Sequence, residues 1–171
     1  MAYINGNEIL FSSRLTGIGY AVEDLKELID GSITEFEIPN GTSIVRQGAF
    51  QNTSLTRVTI PGSVTEIKNS AFNGCKNLTE VTFSEGLLSI GLSSFGGCSL
   101  NSVEIPSTVT SVAKLAFNGN SLTKVVFKGK PNSIGNTAFG GATGVIECPW
   151  KEGEVADAPW GATNATILYK G

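Results

Sequence analysis

The sequence predicts a mainly β solenoid with short helical elements, made of five to six stacked coils of 22–23 residues and capped at both ends. Two observations predict it: an apolar residue opens a unit every 22 or 23 positions, and a phenylalanine follows the first five openers at an offset of 17. A unit of this length cannot bury its own apolar face, so successive units are expected to stack. The openers are Ile33, Leu55, Leu78, Leu100, Leu122 and Val145, and the phenylalanines are Phe50, Phe72, Phe95, Phe117 and Phe139.

Residues 1–32 are predicted to form an N-terminal segment with a capping helix. Over 21–29 the apolar residues follow helical spacing, and Gly31 suits the end of a helix. A cap is expected because the first coil of a solenoid otherwise exposes its apolar end. The apolar residues of this predicted helix are Val22, Leu25, Leu28 and Ile29.

Residues 33–144 contain five repeats with a common strand signature, L-T-x-V-x-I. Its β-branched and apolar positions alternate with polar ones, as in a half-buried strand. Pro39, Pro61 and Pro106 follow three of these strands and end them, because proline cannot donate a backbone hydrogen bond. Parallel strands lie about 4.8 Å apart, so the phenylalanines are predicted to form a column of ring contacts.

The length of the repeat varies only between each phenylalanine and the next opener. That segment is rich in residues that tolerate positive φ, so an added residue there leaves the strand register unchanged. The turn-forming pairs are Asn73-Gly74, Gly96-Gly97, Asn118-Gly119 and Gly140-Gly141.

Residues 145–171 are predicted to be a partial repeat and a C-terminal cap. Val145, Cys148 and Trp150 are assigned to the strand columns of a sixth unit, but no Ala-Phe pair follows them. Trp150 and Trp160 are expected to seal the last coil.

Composition limits the classes of partner. With 12 basic and 15 acidic residues, the net charge of −3 is too small to favour nucleic acid or an acidic membrane surface. No apolar run approaches the ~18 residues of a membrane span, so no membrane insertion is expected. The start of the chain has no basic stretch followed by an apolar one, so no signal peptide is predicted in this chain.

The sequence predicts no catalytic, cofactor-binding or metal site, and hence no enzyme. It contains no histidine, the commonest general base and the commonest metal ligand. Paired carboxylates remain a route to catalysis, but the cluster of Glu152, Glu154 and Asp157 is interpreted as a solvated loop. Cys75 and Cys98 share one column of adjacent coils and are interpreted as buried free thiols, with a disulfide as the alternative.

The repeat resembles the BspA-like (Treponema-type) leucine-rich repeat. The resemblance is carried by the pattern L-T-x-V-x-I-P-x-S-V-T-x-I-x-x-x-A-F-x-G-C, clearest at Leu55–Cys75, and extends from residue 33 to about residue 150. It implies a curved solenoid, and it implies a role as a surface adhesin or host-interaction module.

The two ends of the chain show a second resemblance. The start, Met1 through Phe11, and the closing stretch from Cys148 to Ile167 are similar to segments of phage and prophage structural proteins of gut bacteria. This resemblance implies association with a virion.

Strand alternation predicts the outward side chains, at the third and fifth positions of each unit. The recurrent Thr34, Thr56, Thr79 and Thr123 occupy the second position and are assigned to the bend. The predicted outward face is polar and mixed in sign, without the aromatic platform of a typical sugar site. Its members are Glu35, Glu37, Arg57, Thr59, Glu80, Thr82, Ser102, Glu104, Lys124 and Val126.

The leading hypothesis is a non-catalytic recognition or adhesion module that binds a protein or a cell-surface component, with phage tail association as its more specific form. The alternatives are a bacterial surface adhesin and a structural assembly or spacer subunit without an external ligand. The expected location is the virion, or the outside of the cell and its surface. No cofactor and no nucleic acid are expected, and the oligomeric state is left open.

Overall fold

The computed structural model describes residues 2–5, 8–11, 31 and 34–171. The helix predicted over 21–29 lies outside the described residues. The described strands follow one another along the chain. They are β1 (Ala2–Asn5), β2 (Glu8–Phe11), β3 (Glu35–Glu37), β4 (Ile44–Val45), β5 (Arg57–Ile60), β6 (Glu66–Ile67), β7 (Glu80–Phe83), β8 (Ser89–Ile90), β9 (Ser102–Ile105), β10 (Ser111–Val112), β11 (Lys124–Phe127), β12 (Ser133–Ile134), β13 (Val145–Cys148) and β14 (Thr166–Tyr169).

Each of the five regular coils contributes a longer strand of three or four residues and a shorter strand of two residues. The shorter strands pair in parallel in the order β4-β6-β8-β10-β12. Strand β2 pairs in parallel with β4, and β1 pairs antiparallel with β2. The longer strands form two parallel sheets, β3-β5-β7 and β9-β11-β13-β14. Paired residues lie one coil apart, as in Phe36 with Val58 and Val58 with Val81. The predicted solenoid of stacked coils is confirmed.

The prediction of short helical elements is wrong for the part of the chain that the structure describes, where no helix occurs. Two positions before four of the repeat phenylalanines the backbone is left-handed, with φ of 52° to 65° at Gly48, Ser70, Ser93 and Leu115. A left-handed residue interrupts the φ and ψ values that a helix requires. These segments form hydrogen-bonded turns instead.

The five repeat phenylalanines form a buried column of stacked rings, as predicted. Neighbouring centroids are 4.9–5.4 Å apart with interplanar angles of 8° or less, and all five rings are 0% exposed. Backbone bonds accompany the rings: Phe72 N donates to Ser94 O on the next coil at 2.7 Å. The small residue before each phenylalanine lets the two backbones approach, so ring stacking and backbone pairing act at the same place.

A second buried column, three residues after each phenylalanine, consists mainly of hydrogen-bond donors. Its side chains donate to the carbonyl of the phenylalanine one coil earlier, at 2.9 Å from Cys75, 3.2 Å from Cys98 and 2.8 Å from Asn120. The thiols are free, as predicted, but they act as weak donors as well as apolar groups. The hydrogen bond to Cys75 and burial raise the pKa of Cys98, and burial raises the pKa of Cys148 to about 12.

The sixth unit has a register that differs from the prediction by two residues. Ile146, rather than Cys148, pairs with Val125 of the preceding coil. Gly144 explains the shift: a Cβ there would overlap Thr123 O, so only glycine allows the backbones to approach this closely. No phenylalanine in this unit fixes the spacing.

Trp150 and Trp160 seal the last coil, as predicted. They are 2% and 0% exposed, and their centroids lie 5.1 and 6.2 Å from that of Phe127. Trp160 Nε1 donates to Ala156 O at 2.7 Å. Strand β14 and the β1–β2 hairpin extend the sheets at the two ends, and neither was predicted. The division into segments 1–32, 33–144 and 145–171 stays a prediction.

Replacing a central ring of the column, Phe95→Ala, is expected to destabilise the fold by about 3–5 kcal/mol, because it leaves a cavity between two stacked rings. For a chain of this size the melting temperature should fall by roughly 6–20 °C. Thermal denaturation followed by circular dichroism measures the change. Leu88→Ala, at a side chain that is 46% exposed, is the control and should shift the midpoint little. A fall of less than about 2 °C for Phe95→Ala would contradict the cohesive role of the column.

Leu115→Gly is expected to stabilise the protein. Leu115 has a φ of 59°, which costs a non-glycine residue about 1–2 kcal/mol, partly offset by the entropy that glycine adds to the unfolded chain. The net gain in unfolding free energy should be roughly 0.5–1 kcal/mol by denaturant titration. Leu92→Gly is the matched control, since Leu92 is 42% exposed and has no positive φ. It should lose stability, and a loss in both variants would refute the strain at residue 115.

Candidate functional site

The ten residues predicted to point outward lie on the solvent side of the two longer-strand sheets, and we call this set the outer face. Eight are exposed, and Thr59 and Val126 are half-buried. The strand register arranges them in two rows. One row holds Glu35, Arg57, Glu80, Ser102 and Lys124, and the other holds Glu37, Thr59, Thr82, Glu104 and Val126. Their role in binding stays a prediction.

Ion pairs order the first half of the outer face. Arg57 lies between two carboxylates, with Nη1 3.5 Å from Glu35 Oε1 and Nη2 3.0 Å from Glu80 Oε2. The side chains are 50–64% exposed, so such pairs contribute only about 0–1 kcal/mol each. Their effect is to hold long side chains in a fixed arrangement on the surface.

A separate set of ion pairs orders the second half. Glu147 Oε1 lies 3.6 Å from Lys124 Nζ, and Glu147 Oε2 lies 2.5 Å from Lys170 Nζ. The hydrogen bond from Lys170 holds the pKa of Glu147 below its usual range. Lys128 pairs with Glu104 at 2.9 Å, and this bond raises the pKa of Lys128. Sequence reasoning missed Glu147 and Lys170 because the predicted face ended at the fifth unit.

The second-position threonines support the backbone, which agrees with their assignment to the bend. Three of the four donate through Oγ1 to the second-position carbonyl one coil earlier: Thr56 to Thr34 O at 3.0 Å, Thr79 to Thr56 O at 3.3 Å, and Thr123 to Asn101 O at 3.2 Å. In the fourth coil Asn101 replaces the threonine, and no such bond reaches Thr79 O.

The outer face is interrupted between β7 and β9. These two strands are not hydrogen-bonded to each other, although each is paired with the strand on its other side. A cleft of about 420 Å³ lies between them. It is lined in part by Glu80, Thr82, Ser102 and Glu104, so the structure brings these four predicted residues together around one concavity. The other six lie on the flanking strands.

The described residues form no cluster suited to metal binding. Within 34–171 and the described N-terminal strands, no three His, Cys, Asp or Glu side chains lie close enough to hold a metal ion. The acidic C-terminal loop is exposed, and Glu154 accepts from Lys151 N at 2.8 Å and pairs with Lys130 at 3.5 Å. Nor does this part of the chain contain a helix of the length and apolarity that a membrane crossing needs.

A solved structure shares this fold with a TM-score of 0.55 and 26% sequence identity. It is a leucine rich cell surface protein from Faecalibacterium prausnitzii A2-165, and the match covers 81% of this chain and 32% of that protein. The chain therefore spans about a third of the length of this relative. No curated protein matches the chain. The resemblance of the two ends to phage structural proteins gains no support from these similarities.

The repeat itself is matched by a family model, described as BspA type leucine rich repeat region, in six copies over residues 29–146. This region covers more than half of the 171 residues and contains the ring column, the threonine column and the whole outer face. The chain belongs to the BspA type leucine-rich repeat family.

Proposed function

We propose that this protein is a non-catalytic recognition module that binds a protein or cell-surface component through its outer face. The observation that carries the proposal is the outer face itself, on which exposed charges recur in register and are held by ion pairs. Leucine-rich repeat solenoids typically bind partners rather than catalyse reactions, since stacked coils present a broad regular surface.

The cell-surface relative supports a location on the outside of a bacterial cell. That protein is described as a cell surface protein, and the match covers 81% of this chain. Adhesion to another cell or to a surface protein is the form of recognition that suits this location. A virion location rests on the terminal resemblance alone.

The chemistry of the outer face indicates a partner bound by polar contacts of moderate strength. The face carries both signs of charge and no exposed aromatic ring among its ten members. Interfaces of this kind lack the buried aromatic anchors that dominate tight binding. Several copies displayed together would raise the overall affinity without new contacts.

One observation favours a structural role as the alternative. Strand β14 is the last strand of its sheet in the described structure, and its Leu168 is 43% exposed. An edge strand with an exposed apolar side chain is a template for pairing with another chain. An assembly or spacer subunit would use this edge and would leave the outer face without a partner.

Removing Arg57 and Glu80 from the outer face, and with them both ion pairs of Arg57, is expected to abolish partner capture without unfolding the protein. Arg57→Ala/Glu80→Ala is compared with the control Glu66→Ala/Lys68→Ala, which removes a pair of 2.6 Å from the shorter-strand sheet. The first variant loses two exposed pairs and the control loses one, each worth about 0–1 kcal/mol, so both variants should melt within a few degrees of the parent.

The measurement is binding of the immobilised protein to intact gut bacteria, to epithelial cells and to virion lysate, with captured proteins identified by mass spectrometry. The proposal expects proteins that the parent and the control capture and the Arg57/Glu80 variant does not. Identical capture by all three proteins would favour the structural alternative.

A further inference from the structure

We propose that the cleft between β7 and β9 binds an extended, basic polypeptide segment, which pairs through its backbone with the free edges of both strands. The inference rests on the proposed function, and it names the chemical class of partner for the centre of the outer face. Four observations carry it: the missing backbone donors, the direction of the unpaired amides, the uncovered apolar floor and the acidic rim.

In other coils a side chain at the second position forms the first hydrogen bond between neighbouring longer strands, and the fourth coil lacks this donor. At the second position Thr56, Thr79 and Thr123 each bond to the coil before them. In the sixth coil Gly144 takes this position and lets the backbones approach without a side chain. Asn101 of the fourth coil offers neither the threonine bond nor the close approach.

The fourth coil also lacks the donor that forms the last hydrogen bond between neighbouring longer strands, which is the backbone amide of the residue after the strand. At three junctions the residue after the longer strand donates to the preceding coil: Ser84 N to Ile60 O at 3.0 Å, Lys128 N to Ile105 O at 2.9 Å and Lys170 N to Cys148 O at 2.9 Å. In the fourth coil this residue is Pro106, which has no N–H. At each of the other described junctions between longer strands, the second position holds a threonine or a glycine, or the residue after the strand has an amide that donates to the preceding coil. Among these described junctions, only the one between β7 and β9 lacks the threonine, the glycine and the amide, and only at this junction are the two strands unpaired.

The alternation of backbone bonds identifies the groups left free. In the intact junctions a third-position amide donates to the preceding coil, as Lys124 N does to Asn101 O, and a sixth-position amide donates to the following one, as Ile38 N does to Thr59 O. Adjacent residues of a parallel strand point their amides to opposite sides. By this alternation, four unpaired amides with their carbonyls face the cleft. They belong to Val81, Phe83, Ser102 and Glu104.

The floor of the cleft is apolar and partly uncovered. Phe83 is half-buried, whereas the residues in the same column, Ile60, Ile105 and Phe127, are 0%, 0% and 3% exposed. Val81, at 9%, is the most exposed member of the buried core. The opening between the strands therefore exposes apolar surface that a side chain of a bound segment can cover.

The rim of the cleft is acidic. Glu80 and Glu104 line it, together with three hydroxyl side chains, and no lysine or arginine does. Glu80 shares Arg57 with Glu35, and Glu104 pairs with Lys128, so a basic side chain of a bound segment would compete with these exposed pairs for the two carboxylates. A segment with alternating backbone donors and acceptors, an apolar side chain for the floor and basic side chains for the rim matches all three chemical features.

The cleft lies inside an otherwise intact stack. Before it, Ser99 N donates to Leu78 O at 3.0 Å, and after it the Glu85 carboxylate accepts from Ser107 N at 3.1 Å. Beneath it the ring column continues, with Phe95 and Phe117 5.3 Å apart. Coils three and four are thus held together on all sides of the cleft, so the cleft does not separate the solenoid into two parts.

The probe for the test is a labelled, end-blocked peptide with the sequence of residues 123–128, Thr-Lys-Val-Val-Phe-Lys, which pairs with β9 on its other side in the fold. Fluorescence anisotropy should show saturable binding. The same peptide with both valine amides N-methylated, and one with both lysines replaced by glutamate, should each bind at least about tenfold more weakly. No saturable binding below about 1 mM, or equal binding of the N-methylated peptide, would overturn the inference.

A closing variant, Asn101→Thr/Pro106→Ser, restores both missing donors without changing any residue of the outer face. It should lose at least about tenfold in peptide affinity. Hydrogen exchange should be slower than in the parent at the amides of Val81, Phe83, Ser102 and Glu104. Pro61→Ser adds the same amide to a junction that is already paired, and as the control it should bind like the parent. A closing variant with slowed exchange and undiminished peptide binding would overturn the inference.

The same variant separates this inference from the proposed function. If capture of cell-surface partners survives closure of the cleft but is lost with Arg57→Ala/Glu80→Ala, the recognition role stands and the cleft inference fails. If capture is lost in both, the partner enters through the cleft. If capture survives in both, the proposed function fails, and the peptide measurement decides on the cleft alone.

Discussion

The structure depends on the contact that each coil makes with the next one. Stacked rings 4.9–5.4 Å apart and backbone bonds from phenylalanine amides to the following coil act at the same positions. Both require the same rise per coil, so a side chain that is too large in any inner column would separate the neighbouring rings. This constraint fixes the inner residues of the repeat and leaves variation to the glycine-rich corner and to the outward positions, where recognition can evolve.

Sequence reasoning recovered what repeats and missed what occurs once. The ring column, the outward rows and the role of Trp160 followed from residues that recur or end a series. The β1–β2 hairpin and β14 have no second copy to align, although the pair Gly6-Asn7 between the first two strands is a recognised hairpin signal. The left-handed backbone at Ser70 and Leu115, which excludes a helix there, has no reliable residue signature. The sixth unit was misaligned since it has no phenylalanine.

The sequence predicts which residues of the candidate site point outward, but it does not predict the cleft between them. Alternation places Glu80 and Glu104 outward from composition and period alone. The cleft between them depends on donors that Asn101 and Pro106 do not supply, and an absent hydrogen bond is visible only once the two strands are known to be neighbours. The buried column at Cys75, Cys98 and Asn120 shows the converse. Chemically different side chains share one task there, namely to donate to a carbonyl of the preceding coil.

The interruption of the longer-strand sheet also divides the described ion pairs of the outer face into groups that share no residue. The Glu35–Arg57–Glu80 chain stays on one side, while the described pairs of Lys124, Glu147 and Lys170 stay on the other. Charges in groups that share no partner respond to substitution nearly additively. A substitution at Arg57 therefore leaves the pairs of Glu147 in place, and a substitution at Glu147 leaves those of Arg57.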